Sequence, residues 1–179
     1  GGGESIEAID VPAPDTDYSL RKVDVNDSMQ SAVKIGFMSL ESSHPDFFKF
    51  RFLAVLLGGY FGSRLMSNVR EENGYTYHIA AELDAYGNRN AFMISSECDC
   101  QYVDPLIKEV YNEINRLVNE PIPEEEVELV RNYILGELTR EYEGQFAKAE
   151  VFINAMLSGE EFESVNDYLQ VVRNITAAE

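Results

Sequence analysis

The chain has 179 residues, 45% of them hydrophobic, with 14 Lys and Arg against 32 Asp and Glu, a formal net charge of −18 with both His neutral. This balance argues against nucleic acid, whose binding surfaces need clustered basic side chains, and against anionic membrane surfaces, whereas a basic peptide would be attracted. The length suggests one domain, and ten Tyr and ten Phe supply enough apolar surface for a sizeable core. No run approaches the roughly 18 apolar residues of a membrane span, so a soluble, cytoplasmic or periplasmic chain is expected, the compartment staying open.

Residues 1–16 contain three leading glycines, Pro12 and Pro14 and read as a linker or tag remnant, with the domain proper over 17–179. A strand is predicted over Tyr18–Val25 and a second where Val33, Ile35 and Phe37 alternate with Lys34 and Gly36. Ser42-Ser43-His44-Pro45 marks a helix start. That helix runs from about Asp46 to Leu57, apolar all round in its second half and therefore deeply buried. Gly58-Gly59 breaks it, and a second helix is predicted over Phe61–Glu72, ended by Asn73-Gly74. A hairpin follows, with Tyr77, Ile79, Ala81 and Leu83 on one arm, a turn at Tyr86-Gly87-Asn88, and Phe92, Ile94 and Ser96 on the other.

The last third is helical. Leu106, Ile107, Val110, Ile114 and Leu117 keep helical spacing; Pro121 and Pro123 separate that helix from one carrying Val127, Val130, Ile134 and Leu138; Val151–Met156 and Leu169–Ile175 mark two more. The order β-β-α-α-β-β-α-α-α implies an α+β domain, an antiparallel or mixed sheet with helices packed on one face.

Four candidate chemistries are weak. Leu57–Leu65 is Gly-rich but lies between helices and lacks the Gly-Lys-Ser/Thr ending of a phosphate loop, so it reads as a tight helix corner. His44 and His78 share no helix face, and Cys98 and Cys100, spaced i, i+2, read as reduced thiols; neither pair makes a metal site. Glu124-Glu125-Glu126 suits the first turn of a helix, where carboxylates complement the dipole. No Gly-x-Ser-x-Gly elbow supports a Ser-His-Asp triad.

The block from Leu56 to Tyr77, with its buried helix, Gly-rich corner, Ser63-Arg64-Leu65, then Arg70, Gly74 and Tyr77 seven residues after the Arg, resembles the second domain of insulinase-type (pitrilysin family) zinc peptidases and mitochondrial processing peptidases. The resemblance extends over nearly everything after the linker and implies a metallohydrolase-like two-layer domain. In that family one domain holds zinc through an H-x-x-E-H motif and a second, metal-free domain supplies an Arg and a Tyr that contact substrate across a shared cavity. This chain has no H-x-x-E-H, so it resembles the second kind, the non-catalytic C-terminal-type domain. The resemblance implies substrate binding by Arg70 and Tyr77, no catalytic residue and no metal or cofactor in this chain, zinc in an H-x-x-E-H partner domain in cis or in trans, and an unfolded peptide as substrate. The residues themselves leave alternatives: Arg70 beside Glu71 and Glu72 also suits a solvated helix, and Tyr77 in register with Ile79 and Ala81 also suits the core. A structural or assembly role without peptidase activity is the second functional reading. Thr176 followed three residues later by Glu179 forms a capping box, so the native chain is expected to continue and the domain to be truncated here, leaving a sheet edge open to a possible homodimer.

Overall fold

The computed structural model describes residues 20–23, 27–86, 89–146, 148–149, 153 and 163–178. Three strands, β1 (Gln30–Met38), β2 (Thr76–Tyr86) and β3 (Arg89–Asp99), form one antiparallel sheet in the order β1-β3-β2. The predicted hairpin is therefore present, and β1 returns to lie on its far side, Ile35 opposite Ile94. The first predicted strand is not seen: the described part of it, Leu20–Val23, lies outside any strand, with Leu20 and Val23 88% and 85% exposed. Period-2 geometry places these two apolar residues on opposite sides, so the segment has no apolar face to bury.

One face of the sheet presents Val33, Ile79, Ala81, Phe92, Ile94 and Cys98, all buried, while Lys34, Gly36, Glu82 and Glu97 on the other face are exposed. The buried face meets helix α1 (Phe47–Ala54), the segment Met66–Glu72 and helix α2 (Val103–Asn119) through one apolar cluster that includes Leu57, Leu65, Val69, Leu106 and Val110. A second cluster joins α1 to helices α3 (Glu124–Glu141) and α4 (Glu163–Asn174) through Phe52, Leu56, Val127, Val130, Ile134, Tyr168 and Val172. The all-round apolar character of Phe52–Leu57 is thereby explained: Ala54 and Leu57 face the sheet while Phe52 and Leu56 face the outer helices. Burying a Leu or Phe side chain fully, as at Phe52, Leu56 and Leu57, contributes roughly 1.5–3 kcal/mol relative to exposure. Arg131 of α3 closes the far end, its guanidinium donating to the carbonyls of Val172 at 3.1 Å and Ile175 at 2.6 Å at the C-terminus of α4. The helix predicted over Val151–Met156 falls almost wholly outside the described residues.

Both ends of the Gly-rich corner widen into π-helical turns, Val55–Gly59 and Met66–Glu72. The predicted helix from Phe61 is thus a turn followed by helical backbone from Arg64 onward. Gly58 shows why a side chain is excluded: a Cβ there would lie 2.6 Å from the backbone nitrogen and Cβ of Ala81 in β2. The corner is pressed onto the strand that carries the candidate site.

Candidate functional site

The chain leaves the Met66–Glu72 turn and enters β2 through a short, tied connection. Asn73 donates from its backbone to the Asn68 carbonyl at 3.0 Å and from its side chain to the same carbonyl at 2.9 Å. Gly74 adopts a φ of +66°, a left-handed conformation that costs glycine nothing. The backbone N–H of Tyr75 donates to the Val69 carbonyl at 3.0 Å, and the Tyr75 ring stacks on Tyr102 at 5.3 Å. Arg70 and Tyr77 thus sit on the two sides of a fixed corner.

Arg70 keeps 31% of its side chain exposed. Its guanidinium lies over the ring of Phe61, 4.5 Å from the centroid, and its nearest carboxylate, Glu71, is 3.8 Å away and half-exposed. An aromatic face and a loose ion pair orient the guanidinium while leaving its donors accessible.

Tyr77 is 92% exposed. A regular strand would place it on the face of Ile79, which is 0% exposed. The ladder slips by one residue here: Thr76 is opposite Cys98 and Ile79 opposite Ser96, so Tyr77 and His78 together face Glu97. This is a β-bulge, which re-aims side chains. The core position suggested by strand alternation is therefore occupied by Thr76, buried at 8%, and the tyrosine is expelled.

Arg64, six residues before Arg70, differs in every respect. It forms a bidentate pair with Glu126, Nε to Oε1 and Nη2 to Oε2 both 2.7 Å, with the two side chains only 12% and 23% exposed. The hydrogen bonds to Glu126 push its pKa further up, burial acting against them. The sequence marks Glu126 only as a dipole-complementing first-turn acid; in the structure it is the anchor that ties α3 to the Gly-rich corner. Beside it, burial and then the Glu126 charge raise the pKa of Tyr60, whose ring stacks on Tyr133 at 4.9 Å. Arg64 and Glu126 border a polar cleft of about 290 Å³, which Glu113 and Arg116 also line and which neither Arg70 nor Tyr77 reaches. Glu113, 1% exposed, accepts from Asn68 at 2.7 Å and Arg116 at 3.0 Å.

The thiols are both free, Cys98 buried, with burial raising its pKa, and Cys100 exposed. Among the described residues, no group of three or more His, Cys, Asp or Glu is arranged to hold a metal, and no helix is long and apolar enough to cross a membrane.

The family model described as the peptidase M16 inactive domain matches residues 2–134. The chain belongs to this family. The inactive domain is 28% identical over 127 residues to an uncharacterized zinc protease of Rickettsia bellii (strain RML369-C), covering 71% of this chain and 31% of that protein. Its fold matches the peptidase M16 inactive domain from Pseudomonas fluorescens, with a TM-score of 0.72 and 23% identity over 84% of this chain and 36% of that one. It also matches an inactive peptidase domain from Bordetella parapertussis, with a TM-score of 0.71 and 16% identity over 89% and 85% of the two chains. The chain thus spans about a third of the length of the Rickettsia and Pseudomonas relatives. It is an inactive domain of the zinc-protease family, and the α+β architecture expected from its sequence is the one these structures share.

Proposed function

We propose that this M16 inactive domain holds an extended peptide for hydrolysis by a separate zinc-binding domain, with Arg70 and Tyr77 as the contacting side chains. The observation that carries this reading is the expulsion of Tyr77 from the sheet beside an accessible Arg70. A large aromatic exposed at 92% on a bulge gains nothing from the core, and bulges are enriched next to active sites. The guanidinium offers N–H donors in a fixed fork for a peptide carbonyl, and the phenol offers one O–H for a carbonyl or developing oxyanion. Zinc chemistry belongs, on this reading, to an H-x-x-E-H domain in cis or in trans, since the motif is absent here.

The test is made on the complete protein together with its zinc-binding domain. Arg70→Ala and Tyr77→Phe are each expected to lower kcat/KM toward an unstructured peptide by about 10²–10³, the usual effect of removing one transition-state donor, with circular dichroism unchanged. Full activity in both variants would overturn the contact role and favour the assembly reading.

A further inference from the structure

The bulge that expels Tyr77 is closed from inside by two hydroxyls. Thr76 and Ser96 are buried at 8% and 7% within strands whose neighbouring inward positions are apolar. Thr76 Oγ1 lies 2.6 Å from the Glu97 carbonyl, and Ser96 Oγ lies 2.8 Å from the His78 carbonyl. The His78 backbone N–H donates to Thr76 Oγ1 at 3.1 Å, and the two hydroxyl oxygens are 3.1 Å apart. One arrangement uses every proton once: Thr76 O–H donates to Glu97, Ser96 O–H donates to His78, and His78 N–H donates to Thr76. A bulge leaves backbone groups out of the ladder, and buried groups left so are costly. Here the two hydroxyls satisfy both the N–H and the carbonyl of His78 and the carbonyl of Glu97.

We propose that Thr76 and Ser96 are positioning residues that hold the bulge closed and so fix Tyr77 outside the sheet. The proposal rests on the reading that Tyr77 contacts substrate. Without the two hydroxyls the ladder gains by slipping toward regular pairing, which would rotate Tyr77 toward the core face, because a one-residue slip exchanges the faces of a strand. Neither hydroxyl reaches the substrate on this view; both act through the direction of the Tyr77 side chain.

The experiment uses the complete protein with its zinc-binding domain and an unstructured peptide as probe. Ser96→Ala and Thr76→Val are each expected to lower kcat by about tenfold, the scale of a modest misplacement of a contacting group, whereas Thr76→Ser, which keeps the hydroxyl, retains the rate. In a Tyr77→Phe background, Ser96→Ala is expected to cost no further than about twofold, because both changes remove one interaction. Losses that multiply in that background overturn the proposal. So does an active Ser96→Ala protein when Tyr77→Phe is impaired, an outcome that leaves the contact role of Tyr77 standing. Full activity of Tyr77→Phe itself removes the contact role and the proposal with it. Amide hydrogen exchange at His78 decides the lock independently of activity: faster exchange in Ser96→Ala supports it, and unchanged exchange overturns it. Thr76→Val keeps the test open if Ser96→Ala does not fold.

Discussion

Arg64 and Arg70 leave the same short segment in opposite states. Arg64 is held by two 2.7 Å hydrogen bonds to Glu126 and is nearly buried, whereas Arg70 rests on the exposed ring of Phe61 with its nearest carboxylate 3.8 Å away. Each belongs to the same recognisable block of sequence, so membership in a motif does not by itself assign a role. What separates them is whether the guanidinium is already buried in a bidentate pair, as Arg64 is through Nε and Nη2, although its buried Nη1 lacks a partner among the described residues. A paired, buried Arg ties elements together; an oriented Arg with only a loose ion pair is available to a ligand.

The largest effect expected from this contrast is on stability. Removing one partner of a desolvated bidentate pair leaves the other uncompensated, so Arg64→Ala or Glu126→Ala should each destabilise the chain by about 3 kcal/mol. Replacing both at once, Arg64→Met with Glu126→Leu, should recover most of that loss, because buried ion pairs add little over apolar residues of similar volume. Urea unfolding midpoints check both statements. If Arg64→Ala left the midpoint unmoved and abolished peptide hydrolysis in the complete protein, the contrast would be inverted and Arg64 would be the contacting residue.

A smaller effect is expected on the other side. Phe61→Leu keeps an apolar side chain but removes the aromatic face under Arg70. An exposed cation–π contact is worth about 0.5–1 kcal/mol, so peptide hydrolysis by the complete protein should slow by roughly two- to fivefold, with Phe61→Tyr retaining the rate. Stability should change by less than about 0.5 kcal/mol, as for most surface substitutions. An unfolding shift as large as that of Arg64→Ala would show that Phe61 and Arg70 serve packing.

Much of this arrangement was legible in the sequence, and the parts that were not share a physical reason. The hairpin, the buried helix over Phe52–Leu57 and the two helices around Pro121-Ile122-Pro123 follow from periodicity and breakers within a dozen residues. The bulge does not, because it is a property of register: only the pairing of Thr76 with Cys98 and Ile79 with Ser96, about twenty positions away, reveals it. The one local cue was a pair of hydroxyl residues at inward positions of apolar strands. The Arg64–Glu126 pair spans 62 residues, and the acid run at Glu124–Glu126 had a sufficient local explanation in the helix dipole. The described part of the strand predicted over Tyr18–Val25 lies outside any strand for the converse reason: Leu20 and Val23 fall on opposite faces, so neither face of that part is apolar.

The finest test of the contrast is the alkaline titration of Tyr60. Tyr60 packs beside the Arg64–Glu126 pair, and burial and then the Glu126 charge both disfavour its phenolate, raising its pKa above the ordinary 10.0. A raised folded pKa means that the folded state holds the proton longer than the unfolded state. The associated stability is fully present below about pH 10, the ordinary tyrosine value, and is lost as pH rises through the folded value. The chain should therefore weaken above pH 10, and Tyr60→Phe, which has no proton to lose, should weaken less steeply there. Buried Tyr168 is raised in the same direction by burial, so Tyr60→Phe flattens the profile in part. Glu126→Ala should shift Tyr60 downward but not return it to the ordinary value, because burial is the larger cause. Ultraviolet phenolate titration of Tyr60→Phe and Glu126→Ala, combined with unfolding at pH 9 to 11, checks these outcomes. A profile unchanged by Tyr60→Phe would mean that the Tyr60 phenol is not buried beside the Arg64–Glu126 pair and that the corner is more open than its geometry implies.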